Sequence, residues 1–129
     1  MGPSFLTLGE VLEIHRDQIS RFGGAQGIRD MELLKSALGM PETTFGGQYL
    51  HSDLFEISAA YLFHIIRNHP FIDGNKRTGT VAALIFLLLN EVNVQIPENR
   101  LIEMVLSVAC GECAKSEIAA FLRKYVIRV

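Results

Sequence analysis

The amino-acid sequence predicts an all-α protein, a compact bundle of six or seven helices interrupted once by a short β-hairpin flap. Three observations predict it. Apolar residues recur at three- and four-residue spacing along most of the chain. Capping residues, glycines and prolines punctuate those segments at short intervals. One stretch alone, Pro41 to His51 (PETTFGGQYLH), places β-prone runs on either side of a glycine pair. The length, 129 residues, suits a single domain expected to span residues 1–129. A chain of this size buries roughly two thirds of its unfolded surface, enough for one core without metals or disulfides.

In order, Thr7-Leu8-Gly9-Glu10 has the form of a capping box, in which Thr7 accepts from a backbone N–H and Glu10 reaches back. Leu8, Val11, Leu12, Ile14 and Ile19 then make an amphipathic helix that stops near Gly23-Gly24. Asp30 can cap a short helix with Leu33, Leu34, Ala37 and Leu38 on one face, ended by Gly39 and Pro41. Pro41 to His51 follows as a small hairpin or an extended flap. Ser52 is the expected cap of a third helix through about Arg67, with Leu54, Phe55, Ile57, Ala60, Tyr61, Phe63, His64 and Ile65 spaced for burial. A fourth helix runs from near Gly74 to about Asn90. Pro97 opens a fifth, with Leu101, Ile102, Val105, Leu106 and Val108 inside. Ser116 or a neighbour opens a sixth, carrying Ile118, Ala119, Leu122 and Val126.

Composition removes several classes. Hydrophobic residues make up 49% and charged residues 20%, which is globular rather than disordered. The net charge of -2 lacks the basic surplus of most nucleic-acid binders, so no direct nucleic-acid partner is expected. The N-terminus MGPSFLTLGE shows no secretory signal. Its Met-Gly start does not continue as a myristoylation motif, because Leu6 stands where Ser or Thr is wanted. The apolar run Val81 to Leu89 covers nine residues, about half of a bilayer span, and reads as a helix buried on most sides. No membrane association is expected. A cytoplasmic, reducing setting follows as the expectation, with Cys110 and Cys113 as thiols.

Just before that oily run stands His69-Pro70-Phe71-Ile72-Asp73-Gly74-Asn75-Lys76-Arg77-Thr78. The first N–H groups of a helix are unpaired and carry the positive end of its dipole, so they bind phosphate well. Gly74 allows a tight turn and a close backbone approach. Asn75, Lys76 and Arg77 add an amide, a point charge and a guanidinium fork that can grip phosphate oxygens bidentately. Asp73 is an oxygen ligand of the kind Mg²⁺ takes beside waters and substrate phosphates. His69 is the one side chain of the motif whose ordinary pKa suits accepting a proton near neutral pH. The combination points to transfer of a phosphorus-containing group to a hydroxyl. Against it stands a structural reading: Asp73 a plain cap, Lys76 and Arg77 a solvated first turn, His69 a loop residue. Cations in a first helical turn oppose the dipole, which weighs against that reading.

The motif resembles the signature of the Fic/Doc superfamily, whose Fic branch reads H-P-F-x-[D/E]-G-N-G-R-x-x-R. His69, Pro70, Phe71, Asp73, Gly74, Asn75 and Arg77 match. Lys76 replaces a glycine and Thr80 stands where a second Arg belongs, and both departures are those of the Doc ("death on curing") toxins. Ile19 to Gly24 (ISRFGG), Asp53 to Glu56 with its following Tyr-Leu pair, and Gly111-Glu112 before a closing helix are also similar to Doc. The resemblance spans essentially the whole chain.

What the resemblance implies is a toxin of a toxin–antitoxin pair that uses ATP and Mg²⁺. Fic enzymes usually transfer AMP to a protein hydroxyl. Doc toxins transfer the γ-phosphate to a threonine of translation elongation factor EF-Tu, with the nucleotide reversed, and so block translation. Carried over, His69 takes the hydroxyl proton, Asp73 holds Mg²⁺, and Gly74, Asn75, Lys76 and Arg77 bind phosphates. Lys76 fills space that a glycine would leave, and Thr80 supplies no second cation. The hairpin would be the flap that aligns the target segment by strand addition. Ser52 to Glu56 has the spacing of the family's inhibitory [S/T]-x-x-x-E-[G/N] motif, but Ile57 breaks it. A separate Phd-like antitoxin is therefore implied. Two other readings stay open: a Fic-type AMP transferase, and a non-catalytic module that holds a phosphorylated or acidic partner.

Other features carry less. Cys110-Gly111-Glu112-Cys113 lacks the second pair of a structural zinc site and the βαβ setting of a redox motif. His15 with Arg16 and Asp17 reads as a polar helix face. His64 reads as a core or partner-facing residue. Arg21 and Arg67 divide between surface charge and a role near the motif. Arg123, Lys124 and Arg128 read as a solvated basic face.

Overall fold

The computed structural model describes residues 2–127, and Arg128 of the expected basic face lies outside them. Six α-helices and one two-stranded hairpin make up the regular structure of the described residues, as expected for an all-α bundle with a flap. Helix α1 is Leu8–Phe22 and α2 is Met31–Gly39, followed by a 3₁₀ turn over Met40–Glu42. Strands β1 (Thr44–Phe45) and β2 (Gln48–Tyr49) pair antiparallel, with Thr44 opposite Tyr49 and Phe45 opposite Gln48. Gly46 and Gly47 both take positive φ, 60° and 81°, which a two-residue hairpin turn of the favoured twist requires. Helices α3 (Leu54–Asn68), α4 (Asn75–Leu89), α5 (Glu98–Ala109) and α6 (Lys115–Lys124) complete the chain.

The Thr7–Glu10 capping box is present, with Glu10 N donating to Thr7 at 3.1 Å and Thr7 N to Glu10 at 2.8 Å. Asp30 caps α2 by accepting from Leu33 N at 3.0 Å. One expected helix start is corrected. Asp53, not Ser52, caps α3, since its carboxylate accepts from Glu56 N at 2.8 Å. Ser52 reaches the Glu56 carboxylate instead, with its hydroxyl at 3.1 Å and its amide at 3.2 Å. Asp53 has a second reason to be there, because Arg123 of α6 donates to its other oxygen at 2.8 Å. Helix α6 begins at Lys115, the neighbour of Ser116, as expected, and there Glu117 accepts from Ala114 N at 2.9 Å and closes the first turn.

Helix α3 is the centre of the core. Ile57 to Leu62 are buried in succession, as are Ile65 and Ile66, so the helix is covered on nearly every side. Ser58 is tolerated there because its hydroxyl donates to Ala83 O of α4 at 2.8 Å. Phe86 and Leu87 of α4 and Ile118 and Leu122 of α6 are also fully buried. Each such side chain contributes roughly 1.5–3 kcal/mol relative to exposure. Two burial expectations fail. The run Val81 to Leu89 is not buried on most sides, since Ile85, Leu88 and Leu89 are exposed. Ile102 and Leu106 of α5 also face outward, each 50% exposed, while Met104 is buried in their place. The reason is shared: α4 and α5 each lay one face on the core, and their outer faces stay apolar.

At the N-terminus of α6 the Lys115 ammonium donates to His51 Nε2 at 3.3 Å and to His64 Nε2 at 3.0 Å, so both imidazoles must be neutral. Burial, then Lys115 and His51, push His64 down to about 4. Burial and then Lys115 lower His51, and burial lowers Lys115 itself. The unfolded chain protonates His64 near its ordinary value of 6.5, whereas the folded chain resists until about 4. The stabilisation is therefore complete above the unfolded value and is lost as pH falls toward the folded one. Because His64 is only half-buried, the expected loss is about 1–2 kcal/mol. Urea unfolding at neutral and mildly acidic pH reads it. His64→Gln, which accepts from Lys115 without titrating, should lose less; an equal loss removes His64 as the source.

Candidate active site

The segment between α3 and α4 is shaped from both sides. Helix α3 ends on His69 in the left-handed conformation, φ 52° and ψ 54°. A non-glycine residue there stores strain on the order of 1 kcal/mol. Arg29, from the loop before α2, holds it: Nε donates to His69 O at 2.6 Å and the guanidinium also donates to Asn68 O at 3.0 Å. Arg29 N and Asp30 N donate to Pro70 O at 2.7 and 3.0 Å, Phe71 bridges Ile28 antiparallel, and Ile72 N donates to Gly27 O at 3.1 Å. The segment therefore lies against residues 27–30 as a short two-stranded seam.

From the other side, α1 supplies a wall. His15 Nε2 donates to Asp73 O at 2.8 Å, and the His15 ring stacks on Phe71 with centroids 3.8 Å apart. Ile19 leaves no room at Gly74, where an added Cβ would lie 3.0 Å from Ile19 Cδ1. Gly74 itself sits at φ 80° and caps α4, a conformation that a side chain would strain. Asn75 is buried and closes the turn with both ends of its amide: Phe71 N donates to Oδ1 and Nδ2 donates to Phe71 O, each at 2.9 Å. Asp73 accepts from Ala25 N at 2.8 Å through Oδ2.

Among the described residues, no acceptor is found for the N–H groups of Gly74, Asn75, Lys76 and Arg77, and no side chain caps α4. They form the mouth of a cleft of about 510 Å³. His69, Asp73, Gly74, Asn75, Lys76 and Arg77 all line it, with Ile66, Ile72 and Ala109 as its apolar wall. Four free donors at the positive end of a helix make a ready anion site. An exposed carboxylate, an imidazole and an ammonium share the same cleft.

The six motif residues predicted from the sequence are thus brought to one place, with two differences in how they serve. The Asn75 side chain is engaged in the turn, which leaves its backbone N–H as its donor without a partner among the described residues. The Arg77 guanidinium donates to Gln18 O at 3.2 Å and Gly23 O at 2.8 Å, and lies 5.9 Å from the Phe22 ring centroid. It is held at the C-terminus of α1, where a cation suits the dipole. His15 corrects the expectation of a polar face: it is 4% exposed. A signal for it existed, since His15 lies four residues from both Val11 and Ile19 on the buried stripe of α1. Nothing in the sequence marked Arg29.

Of the open residues, Arg21 pairs with Asp17 at 2.9 Å on the surface, and that carboxylate raises its pKa. Arg67 donates to Ala109 O at 3.1 Å and packs over Gly111, so it fixes the end of α5 beside the cleft. Ser52 and Glu56 sit at the opposite end of α3 from His69, about 20 Å away at 1.5 Å rise per residue, too far to touch the site. Cys110 and Cys113 are free, and burial pushes the Cys113 thiol up. Among the described residues no three His, Cys, Asp or Glu converge as a metal cluster, and no helix is long and apolar enough to cross a membrane.

Residues 5–87 match the model of a family described as the Fic/DOC family. The chain is 37% identical over 116 residues to "Protein kinase doc" of Escherichia phage P1, an alignment covering 89% of this chain and 90% of that protein. It is 37% identical over 103 residues to "Toxin Doc" of Mycolicibacterium smegmatis, covering 78% and 79% respectively.

Proposed function

The chain belongs to the Fic/DOC family, and from that premise we propose that it is a toxin-type protein kinase that moves the γ-phosphate of ATP to a protein hydroxyl. A threonine of EF-Tu is the target we propose, with arrest of translation as the consequence. The observation that carries the reading is Lys76 at the wall of the cleft, beside four unpaired N–H donors and His69. The names of the two relatives, a kinase and a toxin, support it.

In the proposed reaction the unpaired N–H groups and Lys76 hold the phosphate chain. His69 accepts the proton of the target hydroxyl as its oxygen bonds to the γ-phosphorus. The bond from that phosphorus to the β–γ bridging oxygen breaks, and ADP leaves with the electron pair. The N–H groups and the ammonium stabilise the charge that moves onto the phosphate oxygens. Asp73 fits as the protein ligand of Mg²⁺: it is exposed in the cleft, only one of its carboxylate oxygens has a partner among the described residues, and this ion commonly takes one carboxylate beside waters and phosphates. When bound, the ion offsets phosphate charge. The hairpin supports a role in aligning the target, since all four of its strand residues are exposed and Phe45 is 83% exposed.

An antitoxin partner, Phd-like in kind, belongs to the same proposal. An apolar groove of about 480 Å³ runs between α1, α4 and α5, and Lys76, Arg77 and Thr80 form its end nearest the cleft. Phe22, Ile102 and Leu106 along it are each at least half exposed. An apolar groove of this kind supports docking of an amphipathic segment from another protein. The test is brief expression of the chain alone, then mass spectrometry of total protein. Growth should stop with one phosphate added to a translation factor, and co-expression of the neighbouring gene's product should prevent both. Unchanged growth with no modified protein would contradict the proposal.

A further inference from the structure

The Asp73–Gly74 peptide lies at the N-terminus of α4, at the mouth of the anion site. With glycine on one side, this peptide can turn over at little cost, exchanging the directions of its C=O and N–H. In a trans peptide these two groups point in opposite directions, and no cis peptide is present among the described residues. Which of them faces the cleft decides whether the site attracts or repels an anion.

We propose that His15 is a positioning residue that sets this peptide, holding the Asp73 carbonyl against α1 so that the Gly74 N–H faces the cleft. The inference rests on the reading of the cleft as a phosphate site. A carbonyl only accepts, so Nε2 of His15 carries the proton in the 2.8 Å bond to Asp73 O. The ring cannot swing away, because it lies flat on Phe71 at an interplanar angle of 6° and is 4% exposed. It also packs against Gly74 itself, where a Cβ would come 3.6 Å from His15 Cδ2. His15 is not among the residues that line the cleft, so it acts on the opposite side of the peptide from the ligand. Remove the donor, and the part-buried Asp73 carbonyl is left without a partner among the described residues. Turning the peptide over relieves that, but aims an oxygen at the phosphate.

Three proteins test this: wild type, His15→Phe, which keeps the ring stack without the donor, and His15→Gln, which keeps an N–H donor of similar reach. Two measurements are made on each, the amide NMR signals of Gly74 and Asn75 and the affinity for ATP·Mg²⁺. His15→Phe should move both amide signals and lose roughly ten- to hundredfold in affinity, the worth of a hydrogen bond to a charged group. His15→Gln should restore the signals and most of the affinity. Wild-type amide signals in His15→Phe, or a His15→Gln protein no better than His15→Phe, would overturn the inference. A wild type that binds no ATP, with His15→Phe still moving the Gly74 amide, upholds the role of His15 and counts against the kinase reading instead.

Discussion

His69→Ala should lower phosphate transfer by about 10²–10⁴-fold, the usual cost of removing a general base. The fold should survive, because what His69 does for the structure it does through its backbone. Its N–H donates to Ile65 O at 3.3 Å, and its carbonyl accepts from Arg29. Both bonds remain in the alanine protein. Alanine tolerates the left-handed conformation somewhat less well than histidine, so a stability loss of about 1 kcal/mol or less is expected. Transfer to the target and thermal unfolding, measured on the same sample, separate the two effects. A variant that modifies its target at wild-type speed would remove His69 from the role of base.

Lys76→Gly should reduce γ-phosphate transfer by about 10²–10³-fold, the scale seen when one donor to a developing oxyanion is removed. Lys76 is exposed in the first turn of α4 and lines the cleft, so its loss removes charge without opening the core. Glycine in a helix costs roughly 0.5–1 kcal/mol, too little to unfold the chain. Thr80 lies one turn further on, its hydroxyl donating to Lys76 O at 2.7 Å. Thr80→Arg would therefore place a guanidinium one turn along from the position vacated in Lys76→Gly. The double variant should transfer γ-phosphate still more weakly, and gain of AMP transfer would mean that ATP now binds turned around. The mass of the modified target distinguishes a phosphate from an AMP adduct. Unchanged phosphorylation by both variants would show Lys76 to be an ordinary surface cation.

The helices were legible because their signals are local. The Thr7–Glu10 box, Asp30 and the Gly46-Gly47 pair each act through bonds or backbone angles within a few residues. Where two neighbours could do the same job, the sequence was ambiguous. Ser52 and Asp53 can both cap α3, and the one that does also pairs with Arg123, 70 residues away. Burial on α4 and α5 was overestimated because spacing reports which residues are apolar, not whether another element covers them. Ile102 and Leu106 have the right spacing but are only half covered among the described residues.

At the site the same division holds. The run from His69 to Arg77 was readable because its chemistry is contiguous. What fixes its geometry comes from elsewhere: Arg29 on His69, and His15 and Ile19 on Asp73 and Gly74. The side-chain role of Arg77 was equally hidden, since its partners are carbonyls of α1 and its C-terminus more than 50 residues away, whereas Asn75 bonds to Phe71 only four residues back, a local turn that residue types alone did not mark.

Transfer of the terminal phosphate of ATP to a protein hydroxyl is the reaction proposed for this cleft. Incubating the wild-type chain and purified EF-Tu with Mg²⁺ and ATP labelled at either the γ or the α position tests it most directly. Label should appear on the target from γ-labelled ATP alone, and none should appear with His69→Ala. Label from α-labelled ATP alone would contradict it in favour of AMP transfer, and label from neither would contradict it altogether for this target.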